Sequence, residues 1–552
     1  MAASEGARLP ATHGAADGDR PAADALEDAL DQLDPFGLYQ RYVLVMLCLP
    51  NILSAMYSLN YVFVADQVPF RCLVPECEGE GSEFSNATVL ALLPAAACRR
   101  FEPLSGRPSC ERAHFHPRHT RDCDRFVYQT HDTIFAEFDL GCREWQRTLV
   151  GTVRNAALPL ALLLTGYISD SFGRRTAFCI FSSFAGVLGI VKGFSVNYQM
   201  YLAMEFLEAA LGYGFNSAGY VMMLELARPS LRGPFACAAG VAYGAGGVLL
   251  AGLARRLRHW RRLLWAAHGA ALLLPLYWRL LDESWHWLHA RGRSRAAAAV
   301  LRKAARWNKV ILNEDTMRKL EDSDQTTKDS APRPNPWRSL LQSRVLLGRF
   351  AVCAWCWIAV AFVYYGLTIN SVALAGDKYG NFALNMGMEI VASLLLMMAI
   401  ERCGRKWSIF SAFVVCGLAC VAPHFISHSG TGLGLFFVGK LAITFAFNSL
   451  YVFTAELFPT RVRSSALAAC SLAARLGSVL APQTPLLSMP VQALLYGACS
   501  ALAALAALLA PETRRARLPG DVAAAETLTG AGTLAGAGGP TPSPPRTIAA
   551  DT

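Results

Sequence analysis

The sequence predicts an all-α membrane protein of twelve transmembrane helices in two pseudo-symmetric six-helix bundles. Three observations carry that prediction: a composition too apolar for a water-facing surface, twelve apolar segments each long enough to cross a bilayer, and a residue pattern repeated at one fixed offset. Of 552 residues, 53% are hydrophobic and 17% charged, with mean hydropathy +0.30, whereas soluble domains carry about 25% charged residues. Such a composition speaks against a cytosolic enzyme.

The apolar runs lie near 42–64, 148–168, 176–193, 199–223, 235–254, 263–281, 346–368, 381–400, 407–427, 433–455, 464–487 and 491–510. Each reads as a helix, because about 20 apolar residues span the hydrocarbon core and lipid offers no water to an open strand edge. One such run alone would suit a buried core helix equally well. Twelve in succession do not.

Three stretches fall outside this pattern. Residues 1–40, rich in Ala, Asp and Glu, are expected to be a cytoplasmic tail without a cleaved signal peptide. Residues 511–552, rich in Ala, Gly, Thr and Pro, are expected to be a disordered cytoplasmic tail. The loop at 66–147 carries six of the sixteen cysteines: Cys72, Cys77, Cys98, Cys110, Cys123 and Cys142. An even number in a polar loop predicts three disulfides on an oxidising, extracellular side. Asn86-Ala87-Thr88 fits a glycosylation acceptor on that same side. A zinc cluster is the rival reading, but the paired CxxC spacing is absent.

Loop charges test the orientation. Arg174 and Arg175, Arg228 and Arg232, Arg402, Arg405 and Lys406, Arg461 and Arg463, and the basic linker 282–345 all fall opposite the cysteine loop, as the excess of positive charge in cytoplasmic loops requires. Arg255, Arg256, Arg258, Arg261 and Arg262 contradict it. Either the neighbouring spans are misplaced or the fold overrides the local charge preference.

Sliding one half along the other reveals the repeat. At an offset of 231, Asp170, Gly173, Arg174 and Arg175 land on Glu401, Gly404, Arg405 and Lys406, while Tyr220, Val221, Glu225, Leu226 and Arg232 land on Tyr451, Val452, Glu456, Leu457 and Arg463. Duplication of a six-helix unit explains both matches, giving bundles 41–281 and 346–510 around a site at their interface. A Gly allows a tight turn, and a carboxylate near a helix N-terminus is favoured by roughly 0.3–1 kcal/mol. These residues, with Arg402, are expected to form a cytoplasmic gate of ion pairs. The plain alternative is that the basic residues only set topology.

These motifs resemble the major facilitator superfamily, and within it the organic cation, anion and zwitterion transporters of solute carrier family 22, on the organic cation transporter-like or carnitine-type branch. The resemblance covers about residues 34–515. It rests on the Cys-rich loop, on Gly166 to Arg175, on Glu283-Ser284 with Trp287-Leu288, on Tyr451 to Arg463, on Ala474 to Ser478, and on Pro511-Glu512-Thr513. The chain departs from the pattern at Ser171, where the family often has Arg, and at Trp285-His286, where it usually has Pro-Arg. Those departures leave slower cycling, or a loss of transport, open.

Ionisable residues inside spans cost about 2.5–3.5 kcal/mol each on insertion and are functional candidates. Arg475, Lys440 and Glu389 qualify, with a structural ion pair as the alternative for each. The resemblance implies that Arg475 stands where anion and zwitterion carriers tend to have Arg. A guanidinium holds a carboxylate through two parallel hydrogen bonds. Trp355, Trp357, Phe362, Tyr364, Tyr365, Tyr220 and Phe447 are candidates to line an aromatic box, whose rings attract an ammonium group by about 0.5–2 kcal/mol. The resemblance ranks Tyr364, Tyr365 and Tyr220 highest.

The expectation is therefore a plasma-membrane secondary transporter moving small zwitterions or carboxylate-bearing amines by alternating access. It needs no cofactor, no metal and no nucleic acid, leaves room for a co-transported ion, and works as a monomer. A simple organic-cation carrier, or a non-transporting receptor, is the alternative. No HExxH or phosphate-cradling GxxxxGK[ST] motif points to an enzyme.

Overall fold

The structure, a computed structural model, describes residues 21–33, 36–79, 81–94, 98–104, 110–227, 231–322, 342–426, 429–514, 519 and 525–526. Arg228 and the side chains of Glu401 and Arg461 lie outside the described residues. Ten helices among those described are long and apolar enough to cross a membrane. They correspond to all the expected spans except the fourth and sixth, which are broken. The fourth is Tyr198–Gly212 followed by Gly214–Leu226. The sixth runs from Trp260–Gly269 through the 3₁₀ segment Ala270–Leu276 to Tyr277–Leu280, with Pro275 inside the tightened turn, where its missing N–H cannot serve an α-helix. Counted with these two, the chain forms the twelve-helix bundle that the composition predicts.

The fifth span, Arg232–Leu257, packs along the eighth, Lys378–Cys403, across the boundary between the halves. The approach is close because Gly244 carries no side chain: a Cβ there would stand 2.7 Å from Ile390 Cγ1. Apolar packing divides into one cluster in each half and a third that draws on both, including Phe63, Tyr201, Trp260, Phe382 and Met386. That shared cluster lies toward the cysteine-rich loop, so the two halves are sealed at the loop end.

The loop holds four short strands, β1 (Phe70–Cys72), β2 (Arg99–Pro103), β3 (Phe115–Asp122) and β4 (Phe126–Tyr128), pairing antiparallel as β1 with β4 and β2 with β3. Cys72 bonds Cys123 and Cys98 bonds Cys142. The expected third disulfide is not formed: Cys77 and Cys110 are thiols. They are neighbours, and burial followed by the adjacent Cys110 thiol pushes the Cys77 thiol up to about 12. Asn86 is exposed and caps the short helix Ala87–Leu90.

Two of the arginines that defied the charge rule have partners here. Arg255 pairs with Asp377 at 3.1 Å, and Arg261 pairs with Glu137 and donates to the Gly193 and Ser195 carbonyls. Tertiary ion pairing overrides the topological preference at this turn. Helix Pro21–Gln32 packs on helix Glu314–Asp322, and Ala525 is buried in the C-terminal bundle, where its carbonyl accepts from Arg349.

The linker end shows the duplication in atomic detail. Arg174 reaches Glu225 with Nη2–Oε1 at 3.0 Å, and Arg405 reaches Glu456 with the same pair of atoms at 3.0 Å. Arg174 also bonds Asp170 at 2.8 Å. Gly173 (φ 106°) and Gly404 (φ 84°) make the turns before the third and ninth spans, in a backbone region that side chains disfavour. The carboxylate that meets the start of the third span is not Asp170. Glu283 accepts from the Arg174 and Arg175 amides, and Glu512 from the Arg405 and Lys406 amides. Each expected gate pair with described side chains is internal to one half, so this constellation fastens the helices of each bundle. Arg232 and Arg402 are exposed, and Arg463 is half-buried.

Glu283→Ala strands three backbone donors and Glu512→Ala four, so each is expected to cost about 1–3 kcal/mol. Thermal unfolding in detergent should show both variants with a lowered Tm, and losses of similar size are expected because the two carboxylates do the same work in each half.

Candidate functional site

Deep in the bundle, Arg475 on the eleventh span (Thr460–Leu480) is surrounded by tyrosines. Tyr213, Tyr365 and Tyr451 are its immediate electrostatic neighbours, and its guanidinium carbon stands 5.8 Å from the Tyr213 ring centre. Tyr243 adjoins Tyr365 and Tyr213. Arg475, Tyr213, Tyr243, Tyr365 and Tyr451 are each only half-buried although they lie on spans inside the protein. The Arg475 Nε has no hydrogen-bond partner, and among the described residues no carboxylate pairs with the guanidinium. The turn at Gly212-Tyr213-Gly214 that breaks the fourth span is also where Tyr213 enters this group.

Lys440 and Glu389 have the arrangement given above as their structural alternative. Their Nζ and Oε1 are 2.8 Å apart with side chains 0% and 9% exposed. Lys440 also donates to Thr368 at 2.8 Å and lies 3.4 Å from the centre of the Tyr364 ring. Tyr364 in turn stacks on Phe447 at 5.4 Å, and Trp357 packs on Tyr451 at 4.5 Å. The ring of Tyr364 thus already faces a cation of the protein. Of the expected box, Tyr365 borders the Arg475 site and Tyr220 neighbours it through Tyr451. Phe362 and Trp357 are buried in packing. Trp355 is nine residues, two and a half helical turns, before Tyr364, which puts it on the opposite face, 37% exposed.

Three residues of the site escaped the sequence reading: Tyr213, Tyr243 and Tyr451. Tyr451 was signalled by the repeat, as the partner of Tyr220 at the offset of 231. A second buried group also escaped it. Arg154 lies 2.7 Å from Glu205 and 3.0 Å from Glu208, and Lys192 lies 2.9 Å and 2.6 Å from the same two carboxylates. Tyr201 donates to Glu205 at 3.2 Å, and His268 stacks on Tyr57 nearby. Two positive and two negative side chains, none more than 4% exposed, tie the second, third and fourth spans together. The rule that singles out ionisable residues inside spans would have found all four.

Two six-helix bundles joined by a linker are the architecture of a secondary transporter of the major facilitator fold. Residues 119–512 match the model of the sugar (and other) transporter family, and the chain belongs to that family. Among its relatives, the "Organic cation transporter protein" of Drosophila melanogaster is 29% identical over 84% of this chain and 86% of its own length. "Solute carrier family 22 member 1" of Bos taurus is 28% identical over 83% and 84%. "Organic cation/carnitine transporter 2" of Rattus norvegicus is 27% identical over 82% and 84%. The proton:xylose symporter XylE bound to 6-bromo-6-deoxy-D-glucose superposes with a TM-score of 0.58 at 15% identity, covering 87% of this chain and 98% of the symporter, which shows the fold.

The two kinds of buried charge are expected to respond differently to neutralisation. Glu208→Gln leaves Arg154 and Lys192 sharing one carboxylate and should cost about 3–5 kcal/mol. Arg475→Gln strands no charged partner and should cost about 1 kcal/mol or less. Thermal unfolding followed by size-exclusion chromatography separates the two.

Proposed function

We propose that this transporter carries small zwitterions or carboxylate-bearing amines, carnitine-like or resembling β-alanine and carcinine, across the plasma membrane as a monomer. The observation that carries this reading is Arg475: a half-buried guanidinium with Tyr213, Tyr365 and Tyr451 around it and, among the described residues, no carboxylate to neutralise it. A charge in that position is stabilised by a solute carboxylate, which it can hold through two hydrogen bonds. The half-buried rings of Tyr213, Tyr243 and Tyr365 supply electron-rich faces for the ammonium end. A simple organic cation is served less well, because Glu389 is committed to Lys440.

Alternating access follows from the two-bundle fold, with the halves rocking about the central site. The loop end faces outward in this reading and the linker end faces the cytoplasm, so a seal at the loop end corresponds to a state closed to the outside. A net-neutral zwitterion gains nothing from the membrane potential, which is worth about 2.3 kcal/mol per charge per 100 mV. Uphill transport therefore requires a co-transported ion.

Uptake by cells expressing the chain tests the assignment. Wild type should take up carnitine or β-alanine saturably, and each should compete with the other, while tetraethylammonium should not compete. Arg475→Ala at equal surface expression should lose at least about tenfold in uptake, the order expected for a charge-assisted contact. Inhibition by simple cations alone would overturn the assignment.

A further inference from the structure

The seal at the loop end is closed by opposite charges from the two halves. Asp66, just past the first span, and Lys378, the first residue of the eighth, pair at 2.6 Å with side chains 14% and 35% exposed. Below them Phe63 stacks on Tyr379 at 5.5 Å and meets Phe382 edge-on at 4.8 Å. Beside the pair is a cavity of about 100 Å³ bordered by Asp66, Arg147, Thr148, Asn370 and Tyr61. The Tyr61 hydroxyl is buried without a hydrogen-bond partner and neighbours Tyr365, which borders Arg475. A short path of polar groups thus connects the seam to the central guanidinium.

Asp66 is poorly solvated. Burial pushes its carboxyl above the ordinary carboxylate range, opposed by Lys378 and then by Arg147. Rocking that opens the loop end must draw the first span away from the eighth, which parts Asp66 from Lys378. The open mouth then presents a carboxylate on the N-terminal half and an ammonium on the C-terminal half. In the central site Arg475 belongs to the C-terminal half, and of the rings offered to the ammonium Tyr213 and Tyr243 belong to the N-terminal half and Tyr365 to the C-terminal half.

We propose that Asp66 and Lys378 form a first-contact subsite for a zwitterionic solute, Asp66 taking its ammonium and Lys378 its carboxylate. The solute then descends past Tyr61 without turning, its carboxylate passing along the C-terminal half to Arg475, and the two residues rejoin above it. This inference rests on the zwitterion reading.

The test uses the full chain in cells, with carnitine as the probe in influx and in efflux from preloaded cells. Asp66→Asn and Lys378→Gln should each raise the influx KM about tenfold, the effect of losing one charged contact, and leave the efflux KM within about twofold. Asp66→Glu should keep influx near wild type. The exchange Asp66→Lys with Lys378→Asp restores an ion pair, so a cysteine placed at Thr148 should stay as protected from impermeant maleimide as in wild type, yet the influx KM should remain raised because the poles are reversed. Return of the influx KM to wild type in the exchange variant would show a simple clasp and overturn the subsite, as would equal influx and efflux shifts or none. If wild type shows Arg475-dependent carnitine uptake while these variants leave KM unmoved, the subsite alone fails. If wild type carries no zwitterion, both proposals fail.

Discussion

A charge inside a bilayer needs a partner, and the bundle is organised by how each buried charge obtains one. Desolvation makes an isolated ion costly, whereas a paired and hydrogen-bonded one is tolerated. In the N-terminal half, Arg154 and Lys192 share Glu205 and Glu208 in a closed, neutral quartet. In the C-terminal half, Lys440 is satisfied by Glu389 and Thr368. Arg475 is different: tyrosines are its electrostatic neighbours, and among the described residues no carboxylate pairs with it. The paired groups hold helices together.

The same economy appears at the ends of the bundle. At the linker end, two copies of one device, Arg174 with Glu225 and Arg405 with Glu456, fasten helices inside each half. At the loop end, Asp66 with Lys378 and Arg255 with Asp377 join one half to the other. Bonds within a half survive rocking, and bonds between halves must break during it. The division of ion pairs therefore marks which surfaces move.

Much of this was legible in the sequence. Hydropathy identified the helices, missing only the breaks at Tyr213 and around Pro275, which do not alter a window average. The offset of 231 identified the duplicated linker end because its motifs lie inside the repeated unit. It did not reveal that Glu283 and Glu512 are equivalent, because they are 229 apart and belong to the linker and the tail. Residue type singled out Lys440, Glu389 and Arg475 alike. Which of them is already neutralised depends on which helices touch, and only the three-dimensional packing sets that. The two thiols at Cys77 and Cys110 belong to the same class: their presence was plain, their pairing was not.

The most direct measurement of the central claim is a structure of the purified protein with carnitine bound. The account requires the solute carboxylate within about 3 Å of the Arg475 guanidinium nitrogens, the distance of a charge-assisted hydrogen bond, with the trimethylammonium against the tyrosine rings. Density for the solute elsewhere, or a protein carboxylate moved into contact with Arg475 while the solute binds apart from it, would contradict the account.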